Sequence, residues 1–149
     1  MRTACLAWSV AVLAATPALA GQLAGTWDCQ LQTQDNGTKR ILTEATTYSA
    51  DGRFNTELTF REQSATGSFE ADATTGGVYT MRGTQLDLMP IRARVTELRV
   101  NGAQVTNRSV IRDIRSTLLE DSAPLTVVTL TSNRMVLERD GLEMTCDRR

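Results

Sequence analysis

Apolar and polar side chains alternate through most of the chain after residue 24, with the period of strands. From Ala24 to Thr33, Trp27, Cys29 and Leu31 share one parity and Asp28, Gln30 and Gln32 the other, the pattern of a strand buried on one face. A second strand is expected at about Arg40–Ser49. Arg53–Phe60 alternates most cleanly, with Phe54, Thr56, Leu58 and Phe60 facing one way and Arg53, Asn55, Glu57 and Thr59 the other. Arg61–Gly67 has no apolar period and reads as a loop. Phe69, Ala71 and Ala73 mark a short strand, Gly76-Gly77 reads as a turn into Val78–Arg82, and Gly83 turns again before Leu86 and Leu88. Pro90 has no N–H for a ladder and marks a strand end or a bulge before a strand at Ile91–Val100. Leu125–Thr131, Met135–Arg139 and Leu142–Arg148 complete the series. The pairs Asn36-Gly37, Asp51-Gly52, Asn101-Gly102 and Asp140-Gly141 supply residues that tolerate the positive φ of tight turns.

One segment changes period. Val110, Ile111, Ile114 and Leu118 recur at helical spacing, Asn107 is a candidate N-cap, and Pro124 stands just beyond. A short helix near residues 108–121 is expected, either covering a barrel mouth or acting as a lid over a cavity.

The first twenty residues follow different rules. Arg2 supplies a positive start, Ala4 to Ala15 is an apolar run, and Ala18-Leu19-Ala20 fits a small-x-small cleavage site. Residues 1–20 therefore read as a signal peptide cleaved after Ala20, and 21–149 as one domain. The run is shorter than the roughly 20 apolar residues a membrane span needs. Cys5 lies before the apolar run, away from the cleavage point, so no lipid anchor is expected. A periplasmic or secreted location follows, and with it an oxidising compartment. Removal of Cys5 leaves Cys29 and Cys146 as an even pair expected to bond. That bridge sets the first and last strands side by side and makes the sheet close. The expectation is an all-β fold: an antiparallel closed or nearly closed β-barrel of about eight to ten strands, plus the one short helix.

Charge and chemistry narrow the function. The 149 residues carry 16 basic and 17 acidic side chains and no histidine. Without Arg2 the balance is 15 against 17, a net charge of −2. Near neutrality gives no electrostatic reason to expect nucleic acid or an anionic membrane as partner. A chain without histidine has no Ser-His-Asp or Cys-His machinery. Two cysteines alone do not complete a zinc shell, and no phosphate loop or nucleophile elbow occurs. No metal, no cofactor and no enzymatic activity are expected. Glu70 and Asp72 share a strand face, either as paired carboxylates of the kind glycoside hydrolysis uses or, the better reading, as a solvated face opposite Phe69 and Ala71. Arg92, Arg94 and Arg99 read the same way, as a solvated strand face before an anion-contacting patch.

Four landmarks spread over nearly the whole domain carry a family resemblance. Gly25-Thr26-Trp27 resembles the glycine-x-tryptophan signature of lipocalins and the wider calycin group, and Tyr48-Ser49-Ala50-Asp51-Gly52-Arg53-Phe54 is similar to the second landmark of bacterial lipocalin-like domains. Gly76–Thr80 with Leu86-Asp87-Leu88 resembles their middle hairpin, and Val128–Leu137 their closing one. The expected helix differs in place, since the main lipocalin helix follows the barrel. The resemblance implies that Trp27 packs across the closed barrel end with a basic residue against it. If Cys29 faces Cys146 in an antiparallel pair, that residue is Arg148. It also implies a small apolar ligand inside the barrel, with Trp27, Phe54, Leu58, Phe60 and Tyr79 as its binding residues. The competing expectation is a solid barrel working by its surface as a periplasmic protein-interaction module, for example a protease inhibitor. Interior volume separates the two.

Overall fold

The computed structural model describes residues 18–149, so of the leader read at residues 1–20 all but Ala18–Ala20 lies outside the described residues. A short helix α1 (Ala18–Leu23) precedes the strands β1 (Gly25–Asp35), β2 (Thr38–Tyr48), β3 (Arg53–Ser64), β4 (Gly67–Arg82), β5 (Gln85–Val100) and β6 (Ala103–Gln104). Helix α2 (Arg108–Glu120) follows, then β7 (Leu125–Leu130), β8 (Arg134–Arg139) and β9 (Leu142–Arg148). All pairings are antiparallel. Setting aside the two-residue β6, eight strands form a ring in chain order, β1 to β5 and then β7 to β9 back to β1.

The ring is uneven. β1 to β4 pair along almost their whole lengths, whereas β5 meets β7 only through Gln85↔Thr126 and Leu86↔Leu125. Beyond those two pairs the strands part, and α2 lies along β5, where the Arg115 Nε donates to the Ala93 carbonyl at 3.0 Å. A helix laid on an unpaired strand edge shields backbone groups that would otherwise invite another chain. The helix begins as its sequence predicts: the Ser109 N–H donates to the Asn107 side-chain oxygen at 2.9 Å. Ile111, Ile114, Leu118 and Leu119 are its half-buried positions.

Three local expectations are corrected. Arg61–Gly67 is not a loop, because β3 continues to Ser64 and pairs with Gly67 across a two-residue turn. Cross-strand pairs such as Arg61 with Glu70 hold it without an apolar stripe. Gly76-Gly77 is not a turn but a register shift inside one sixteen-residue strand β4. A Cβ on Gly77 would run into the Met89 carbonyl, so the close approach of β5 there requires glycine. Pro90 sits opposite Gly77 within an unbroken β5, at the bulge, where a missing N–H costs little.

The core fills one end of the ring. Leu23, Trp27, Tyr48, Phe54, Tyr79, Leu86, Met135, Leu137 and the Cys29–Cys146 bridge, with sulfurs 2.03 Å apart, are buried together. The bridge lies where the two cysteines face each other directly, and that register sets Trp27 against Arg148. The guanidinium stacks on the indole at 4.3 Å. Its Nη1 donates to the Ala24 carbonyl at 2.6 Å and its Nη2 to the Gln22 carbonyl, while the indole N–H donates to the Leu23 carbonyl at 2.8 Å. Gly25 leaves room for this: a Cβ there would collide with the Arg148 Nη1. The glycine and tryptophan of Gly25-Thr26-Trp27 are thus both explained by one arginine. Arg148→Met keeps the aliphatic stem and removes the charge, so it should cost about 2 kcal/mol, read as a lower urea midpoint. An unchanged midpoint would mean the stack contributes nothing.

Candidate functional site

Above this floor the inner faces of six strands leave a pocket of about 250 Å³. Its wall is aliphatic: Leu31 of β1, Leu42 of β2, Leu88 of β5, Leu125 of β7, Leu137 of β8 and Met144 of β9. Asp121 and Ala123, from the segment joining α2 to β7, edge its mouth with Asp140 of the β8–β9 turn. So the helix delivers its C-terminal segment to the pocket, while its body rests on β5.

One carboxyl interrupts the aliphatic wall. Glu44 has the parity of Leu42, Thr46 and Tyr48 and therefore points inward, between Cys29 and Leu58 in the cross-strand pairing. Among the described residues no ion pair reaches it. Burial pushes its carboxyl up to about 7, the Asp121 charge pushes the same way, and Arg139 opposes both. Arg139 is occupied: its Nη1 donates to Asp121 Oδ1 at 2.7 Å and its Nη2 to Oδ2 at 3.4 Å. Four residues along β2, burial holds the Tyr48 phenol far above its usual range, with Glu44 and Tyr79 adding to the shift.

The residues named from sequence fall in two places. Trp27, Phe54 and Tyr79 belong to the barrel floor, beneath the pocket. Tyr79 packs edge-on to Tyr48 at 5.2 Å and donates its hydroxyl to the Ser49 carbonyl at 2.8 Å. Leu58 and Phe60 lie farther along β3, where Phe60 meets Phe69 at 6.0 Å. None of the five is on the wall of the 250 Å³ pocket. The Cys29–Cys146 bridge and the Trp27–Arg148 stack stand as the register requires. Glu44 and the six wall residues are what sequence reasoning missed. The parity of Glu44 with Leu42 and Tyr48 was the available signal.

Larger concavities of about 770 and 470 Å³ lie mainly on the polar face of the sheet, the first also reaching Cys29, Glu44 and Leu58, and their linings differ. Threonines and charged side chains such as Asp28, Glu57, Arg92 and Arg94 line them, open to solvent. Glu70 and Asp72 are bonded on this face, Glu70 to Arg61 at 3.1 Å and Asp72 as acceptor from the Thr59 hydroxyl at 2.6 Å. Arg92 donates to Asn55, and Arg99 pairs with Glu97 at 2.5 Å. Among the described residues no three His, Cys, Asp or Glu side chains gather as metal ligands, and no helix is long and apolar enough to cross a membrane.

No protein-family model matches the chain, and a search of curated proteins likewise returns no match.

Proposed function

We propose that this is an exported, lipocalin-like binding protein that holds a small apolar molecule in the pocket inside the barrel and performs no catalysis. One observation carries the reading: six aliphatic side chains from six different strands converge on an unfilled space of about 250 Å³. Close packing is the rule for protein interiors, and an apolar void costs stability in proportion to its volume. An engineered apolar cavity of roughly 150 Å³ is enough to hold benzene. The space here suits a ring with a short substituent. Export is supported by the disulfide, which persists in oxidising compartments.

The test uses benzyl alcohol and calorimetry. Binding to the parent, weakened about tenfold or more by Leu42→Phe, which fills the pocket from β2, is the expected result. Equal affinity for the two proteins would remove the pocket from the reading. The surface-module alternative rests on a different observation: Thr46, Thr56, Ala71, Ala73 and Leu98 fill the inward positions on the far side of β2 to β5. Native mass spectrometry of protein recovered from its own cells distinguishes the two, a retained small molecule favouring the first and a retained polypeptide the second.

A further inference from the structure

We propose, resting on the pocket reading above, that the ligand class is a small apolar amine whose ammonium group pairs with Glu44.

The charged side chains on the pocket wall are Glu44, Asp121, Asp140 and Arg139, three acids and one base. Arg139 spends its guanidinium on Asp121 in a two-point contact, which leaves Glu44 and Asp140 without a cation. Asp140 is exposed at the turn, where water serves it. Glu44 is half-buried, flanked on the pocket wall by Leu31, Leu42, Leu88, Leu137 and Met144, with no cation paired to it among the described residues. A carboxylate partly desolvated among apolar side chains and without a cation is unfavourable, and a positive charge arriving beside it relieves that. An anionic ligand would meet the reverse, with the one arginine already engaged and three acids facing it. A neutral ligand would gain nothing from ionised Glu44 beyond a hydrogen bond.

Shape agrees with charge. The wall residues make an apolar slot and the carboxyl stands on one side of it, so the occupant has an apolar body and a single polar end. The groups that face Glu44 are Tyr48 on its own strand, Asp121 from the α2–β7 segment and Arg139 on β8. Of these only Arg139 disfavours a second cation, and its charge is offset by Asp121.

Benzylamine, benzyl alcohol and phenylacetate share a ring and differ in charge, and calorimetric titration of the full mature protein with each separates the possibilities. At pH 8 benzylamine should bind at least tenfold more tightly than benzyl alcohol, and phenylacetate more weakly than either. Lowering the pH to 5.5 protonates Glu44 while benzylamine keeps its charge. The amine should then lose about tenfold or more in affinity, with little change for the alcohol. Glu44→Gln should abolish the preference, binding amine and alcohol alike, and the pH profile of the parent gives the same answer should that variant fail to fold. Equal affinity of the parent for amine and alcohol, or tighter binding of phenylacetate, overturns the amine assignment and leaves an apolar pocket standing. Binding of none of the three removes the pocket reading, and the amine assignment with it.

Discussion

Replacing both bridge cysteines, as Cys29→Ser/Cys146→Ser, is expected to lower the free energy of unfolding by about 4 kcal/mol while leaving the fold in place. The bridge spans 117 residues, so nearly the whole domain lies in the loop it closes. A covalent tie across a loop of that order removes roughly 4–5 kcal/mol of disorder from the unfolded chain. Against a usual margin of roughly 5–15 kcal/mol, that is a large share. Topology should survive because β1 and β9 are joined by more than sulfur. Four residue pairs, from Trp27↔Arg148 to Gln30↔Thr145, hold the register, and Arg148 adds its stack and its carbonyl contacts. Chemical denaturation of parent and double variant under oxidising conditions measures the difference, and circular dichroism reports the retained sheet. Coincident midpoints would mean that the bridge does not tie the native ring.

The second large effect comes from Glu44 and has the opposite sign. Its carboxyl ionises near 4.5 in an unfolded chain and at about 7 when folded. Between those values the native state holds a proton that the unfolded state has released, so stability falls as pH rises through that window and levels off above it. The gap corresponds to roughly 3 kcal/mol. Glu44→Gln keeps the shape and removes the charge. The variant should match the parent at pH 4 and exceed it by about 3 kcal/mol at pH 8, a gain of roughly 10 °C in Tm. Equal pH dependence for the two proteins would place the carboxyl in water rather than in the barrel. A carboxyl set on an aliphatic wall without a cation is consistent with a site that trades stability for binding.

The candidate site was much less legible in the sequence than the fold. Phe54 and Tyr79 look like pocket residues because large aromatic side chains at inward positions draw attention. They lie in the floor, where the ring is tightest and most fully paired. The wall belongs to leucines scattered over six strands, each of them ordinary in its own segment. Glu44 reads as one polar residue among several in Thr43-Glu44-Ala45-Thr46, until its parity is followed across to Cys29.

What the sequence determined by itself is what depends on neighbours along the chain. The alternation at Trp27, Cys29 and Leu31, the Asn101-Gly102 and Asp140-Gly141 turns, and the Asn107 cap of α2 are settled by local sterics and hydrogen bonding. The even pair of cysteines then implied that the ends meet, and with them Trp27 and Arg148. The tertiary structure alone decided that β4 and β5 run through Gly77 and Pro90 unbroken, since only a partner strand shows a bulge as a shift in register. It alone decided that β5 and β7 part after two residue pairs, that α2 lies along the resulting gap, and that an aliphatic pocket with Glu44 on its wall remains inside. Those outcomes follow from how eight strands of unequal length close on one another, and no single stretch of chain contains that information.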